Sequence, residues 1–181
     1  MHPNFLENNK ALITASFTLL VLAHLLIEHF QGGVVTHYFF QNDSLPGISN
    51  WWGLLTVPIT SWLVLLRIEK RNNSNESETS QNQVVIYRFI SGIIFGVLLT
   101  YFFSIGSKAP EYMMLGLFAI SLFIPLHFGE YLMGFVLGAM YVLGANIPIT
   151  AGIILMILFF TIYKLPRFIY SFITQKNNSK E

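Results

Sequence analysis

Residues 11–30 read ALITASFTLLVLAHLLIEHF. The run is apolar except near its end, where His24, Glu28 and His29 gather. A helix rises 1.5 Å per residue, so about 20 such residues cross a hydrocarbon core roughly 30 Å thick. The run is too long for the apolar heart of a cleavable secretion signal, so it is expected to remain as a span.

Five more runs of this kind follow, and the expected spans are 11–30, 51–68, 84–105, 111–128, 131–145 and 149–163. Pro148 suits a helix first turn. Pro125 and Gly129 mark a kink and a stop between the fourth and fifth spans. One kinked helix over 111–145 would need a large tilt to fit a bilayer. Composition agrees: 54% of residues are hydrophobic and 10% charged, against about 25% charged in ordinary soluble domains. The sequence therefore predicts an all-α integral membrane protein, a single compact bundle of six transmembrane helices.

Lys and Arg set the orientation. In a six-span chain, nine of the ten fall on one side: Lys10, Arg67, Lys70, Arg71, Arg88, Lys164, Arg167, Lys176 and Lys180. Only Lys108 falls on the other. Both termini are expected in the cytoplasm of a plasma (inner) membrane. Residues 69–83, EKRNNSNESETSQNQ, read as a flexible cytoplasmic loop. Residues 164–181 read as a basic tail that can lie along the inner interface. Trp51 and Trp52 read as outer interfacial anchors.

The chain has no cysteine, which excludes disulfides and thiolate chemistry. A net charge of +1 gives no face for nucleic acid. The sequence contains no phosphate loop, dinucleotide fingerprint or G-x-S-x-G elbow.

Ionisable groups within a membrane are costly and point to function. His24 and Glu28 share a helix face four residues apart, and His29 lies about 100° round from Glu28. The connector VVTHYFFQND, 34–43, is too apolar for a solvated loop. It either folds back onto the outer surface or dips in, bringing His37 and Asp43 towards Glu28. His24, Glu28, His29, His37 and Asp43 are thus candidates for a first shell around Zn, Fe, Mn or Cu, or for a proton relay. In the catalytic reading, Glu28 and His24 carry the chemistry.

A second group lies towards the inner face. Arg88, Gly92 and Gly96 share a stripe of the third span, and Glu130, Gly134 and Gly138 share a stripe of the fifth. Both spans start inside, so they are parallel. Small residues four apart let helix backbones touch, which predicts an Arg88–Glu130 structural ion pair. His127 is expected to bond a carbonyl freed at Pro125.

Three functions follow as expectations. The first is a metal-dependent membrane enzyme acting on a lipid or other membrane-soluble substrate. The second is a transporter or channel for a small solute, ion or proton. The third is a non-catalytic assembly subunit, using its glycine stripes to bind a second copy or a partner membrane protein.

Overall fold

The computed structural model describes residues 9–38, 47–72 and 78–178. Its elements, in order, are α1 (Lys10–Phe30), β1 (Thr36–Tyr38), β2 (Gly47–Ser49), a 3-10 turn (Asn50–Trp52), α2 (Gly53–Asn72), α3 (Glu78–Ser104), α4 (Ala109–Ser121), α5 (Gly129–Leu143) and α6 (Asn146–Asn178). Four segments are long and apolar enough to cross a membrane: Lys10–Phe30, Asn50–Arg71, Asn82–Ser104 and Asn146–Phe168. Helix α5 is apolar but only 15 residues long.

The helices run up and down between two chemically distinct ends. At one, Lys10 pairs with Glu69 at 2.5 Å, tying the start of α1 to the last turns of α2. This basic end also holds Arg71, Arg88 and Glu130. At the other, β1 and β2 form an antiparallel hairpin with Thr36 opposite Ser49 and His37 opposite Ile48. An apolar core of Val21, Leu25, Val57, Leu132 and Val136 lies between the two ends.

The most extensive helix pair is α3 with α5, and glycine is the reason. A Cβ placed on Gly96 would lie 2.7 Å from the Phe135 carbonyl oxygen, and one on Gly138 would lie 3.0 Å from the Val97 nitrogen. Gly92 and Gly134 likewise meet Cα to Cα across the seam. The matched order, Gly92 by Gly134 and Gly96 by Gly138, makes the helices parallel. With no side chains between them, the backbones gain close van der Waals contact, the main attraction available where lipid already satisfies apolar groups. Both stripes are occupied within the chain, so they are not free to bind a partner as the assembly reading supposed.

Several boundaries differ from expectation. The fourth span was expected over 111–128, but α4 ends at Ser121, short of Pro125, and residues 122–128 are non-helical. The fifth begins earlier than 131, because Phe128 takes an extended backbone as the N-cap and Gly129 opens the helix. It ends at Leu143, where Gly144 adopts φ +66. The sixth is far longer than 149–163 and carries Pro166 inside it, so much of the tail continues the helix. Most of the expected loop 69–83 is likewise helical, with 73–77 outside the described residues.

Candidate functional site

The hairpin end is built around Glu28. Helix α1 closes with Gly32 and Gly33 at φ +130 and +122, a backbone open to glycine and strained for other residues. That turn brings the chain back over its own helix. The Val35 N–H donates to Glu28 Oε2 at 3.2 Å, and the Asn50 N–H donates to the Val35 carbonyl at 3.0 Å. Asn50 is 3% exposed, and its Nδ2 donates to Glu28 Oε1 at 2.7 Å. The same nitrogen lies 3.4 Å from His37 Nε2. With Asn50 Nδ2 acting as donor, His37 Nε2 is the acceptor, and the imidazole is neutral with its proton on Nδ1.

His24 completes the group. It is 8% exposed, and its Nε2 lies 3.2 Å from Glu28 Oε1. The approach lacks hydrogen-bond geometry, so this buried nitrogen has no hydrogen-bond partner. Its ring sits 5.9 Å from that of Tyr141 on α5. Burial holds the His37 imidazole below the usual histidine range; Glu28 opposes that shift and His24 adds slightly to it.

Asn50 also fixes the start of α6. A Cβ on Gly144 would lie 2.6 Å from Asn50 Cγ, so glycine there admits the amide. Beside it, Asn146 Nδ2 donates to the Ser49 carbonyl at 3.2 Å and its Oδ1 accepts from the Thr56 hydroxyl at 2.8 Å. The Thr60 hydroxyl donates to the Thr56 carbonyl at 2.7 Å, one turn back on α2.

Of the five residues read as a metal or relay group, the fold brings together His24, Glu28 and His37. His29 points away: it is exposed, with its ring 5.7 Å edge-on to Phe30. Asp43 lies outside the described residues. Among the described residues no three of His, Cys, Asp or Glu are placed to hold a metal. Asn50 Nδ2 stands between Glu28 and His37, so these side chains meet through a hydrogen-bond donor. The expected Zn, Fe, Mn or Cu centre has no support among the described residues. Asn50 and Asn146 are the members that sequence reading missed. Each flanks a span, where Asn reads first as a turn residue.

The basic end centres on Glu130, 2% exposed at the start of α5. Arg88 Nη1 lies 3.5 Å from its Oε1, and Arg71, from the last turn of α2, bonds the same oxygen. The expected pair is thus part of a three-residue group. Both guanidiniums also lie over the Phe128 ring, Arg88 at 4.0 Å and Arg71 at 4.8 Å. His127 does not bond a carbonyl freed at Pro125. Its Nδ1 is buried without a partner, and its ring packs among Phe128, Phe160 and Tyr163 at 4.8–5.6 Å.

No protein-family model, curated protein or solved structure matches the chain.

Proposed function

We propose that the chain is a six-span membrane protein with its basic end in the cytoplasm, doing acid–base chemistry on a membrane-soluble substrate at its outer face. The orientation rests on the positive charge gathered at one end of the bundle. The chemistry rests on His24. A buried imidazole nitrogen 3.2 Å from a carboxylate, with no hydrogen bond of its own, is poised to pass a proton. Glu28 is the proton acceptor, and the amides of Val35 and Asn50 orient it. His37 and the hairpin cover the pair.

A relay across the whole membrane has less support. The polar chain ends at His24, and Val21, Val57, Leu132 and Val136 pack between it and the basic end. Chemistry confined to one face suits a small molecule arriving from the outer leaflet better than conduction does.

The test is a proton count in Glu28→Gln. Glutamine keeps one of the two acceptor oxygens, enough for the Asn50 amide or the Val35 N–H but not for both. Over an acid titration the variant, which lacks this carboxyl, should take up fewer protons than the wild type. Equal uptake together with a clear loss of stability in the variant would make the cluster a structural clasp.

A further inference from the structure

The early end of α4 has a consequence at the opposite side of the molecule. Because α4 stops at Ser121, it does not fill the space between α3 and α6. A cavity of about 280 Å³ remains there, walled by Phe95, Leu117, Ile124, Phe135, Leu155 and Phe159. Ser91 and Tyr131 are the few residues of its lining with a polar side chain. A second cavity, of about 510 Å³, adjoins it at the basic end. The two share Phe128 and Met156 as walls. The second is lined by Arg67, Arg71, His127 and Glu130. One space is thus apolar and elongated into the bundle, while its neighbour is aromatic and charged.

The charge of the second space is one-sided. Arg71 and Arg88 meet a single carboxylate, Glu130, and the lining of the second space carries two guanidiniums, Arg67 and Arg71, against that one carboxylate. In such a partly buried setting an anion is attracted more strongly than in water. Arg67 lines the space from an exposed position, within reach of the membrane surface. The buried, unpartnered Nδ1 of His127 lies in the same wall. A guanidinium presents a planar fork of donors matched to phosphate oxygens. Basic pockets between spanning helices on the cytoplasmic side are suited to anionic headgroups.

We propose that this pair of cavities binds one anionic phospholipid of the cytoplasmic leaflet, its acyl chain between α3 and α6 and its phosphate on Arg67 and Arg71. Phe128 separates chain from headgroup. The two guanidiniums over its ring hold it there, and Glu130 holds the guanidiniums. The site lies at the far end of the bundle from His24 and Glu28 and does not depend on their chemistry.

The probes are nanodiscs of phosphatidylcholine alone and of phosphatidylcholine doped with phosphatidylglycerol. Native mass spectrometry after detergent extraction counts the lipid retained. The wild type should keep one phosphatidylglycerol in preference to phosphatidylcholine, and inorganic phosphate should not displace it. Met156→Trp and Leu155→Trp, which fill the chain cavity, should lose that lipid. Arg67→Gln changes an exposed side chain, so it leaves the fold intact even where the tryptophans do not. It should lower the preference for phosphatidylglycerol by about tenfold. Equal retention of the two lipids by the wild type overturns the proposal. So does an unchanged preference in Arg67→Gln. Displacement by inorganic phosphate would assign the charged cavity to a soluble anion instead.

Discussion

Both ends of the bundle hold a carboxylate surrounded by nitrogen, yet the nitrogens differ in kind. Glu28 meets a backbone N–H, a side-chain amide and an imidazole. Glu130 meets two guanidiniums. Amides are neutral and an imidazole titrates near neutral pH, so the charge around Glu28 can change with a single proton. A guanidinium does not deprotonate in proteins, so the nitrogens around Glu130 keep their charge. The proposed proton exchange belongs to the hairpin end, where the nitrogens are neutral or can titrate; the basic end carries fixed positive charge.

The largest expected effect comes from breaking the fixed end. Glu130→Leu leaves Arg71 and Arg88 without their shared acceptor. The cost should be about 3 kcal/mol, at the low end for a stranded buried charge, because long arginine stems reach towards the interface. Reversible unfolding in mixed micelles measures it. A loss below about 1 kcal/mol would mean that the guanidiniums are well solvated without Glu130.

Next in size is the seam that carries Glu130. Gly138→Leu pushes a side chain into the α3 backbone and should destabilise by about 1–3 kcal/mol. Gly116→Leu, in open space on α4, should change little in the same assay. Similar losses at both positions would remove close approach as the explanation.

At the exchanging end the substituent decides the size. Glu28→Leu strands the Val35 N–H and the Asn50 amide, and should cost about 1–3 kcal/mol. Glu28→Gln keeps one of the two acceptor oxygens and should cost about half as much. If the two variants are equally unstable, the charge of Glu28, not its role as acceptor, holds the hairpin.

The smallest effect is a pH dependence. Burial lowers the His37 pKa in the closed hairpin, so an opened hairpin takes up a proton first as pH falls. Closure is complete above about pH 6.5 and weakens below it. The protection of the Val35 amide against exchange, taken relative to its intrinsic rate at each pH, should fall on acidification. His37→Gln should flatten that response, and a response that survives the substitution would place the titrating group elsewhere.

Much of this architecture was legible in the residues, for physical reasons that also set the limits. Runs such as 11–30 have the length and apolarity of a span wherever they pack. Glycines four apart on two helices already fix a register. The stretch Leu122–Phe128 misleads, because a non-helical segment can be as apolar as a helix and periodicity does not separate them over so few residues. The sixth span is likewise longer than its most apolar run, because α6 continues through Pro166 into the basic tail. At the sites, His24, Glu28, Arg88 and Glu130 stood out as charges in apolar runs. Asn50, Asn146 and Arg71 did not, because each sits where a polar residue is ordinary. Only the closed fold shows Asn50 between Glu28 and His37.

The contrast between the two carboxylates is tested most directly by pH-dependent infrared difference spectra of the protein in lipid, compared for wild type, Glu28→Gln and Glu130→Gln. A carboxyl band that appears on acidification in the wild type should vanish in Glu28→Gln and persist in Glu130→Gln. A band that persists without Glu28, or that disappears with Glu130, would contradict the assignment of proton exchange to the hairpin end.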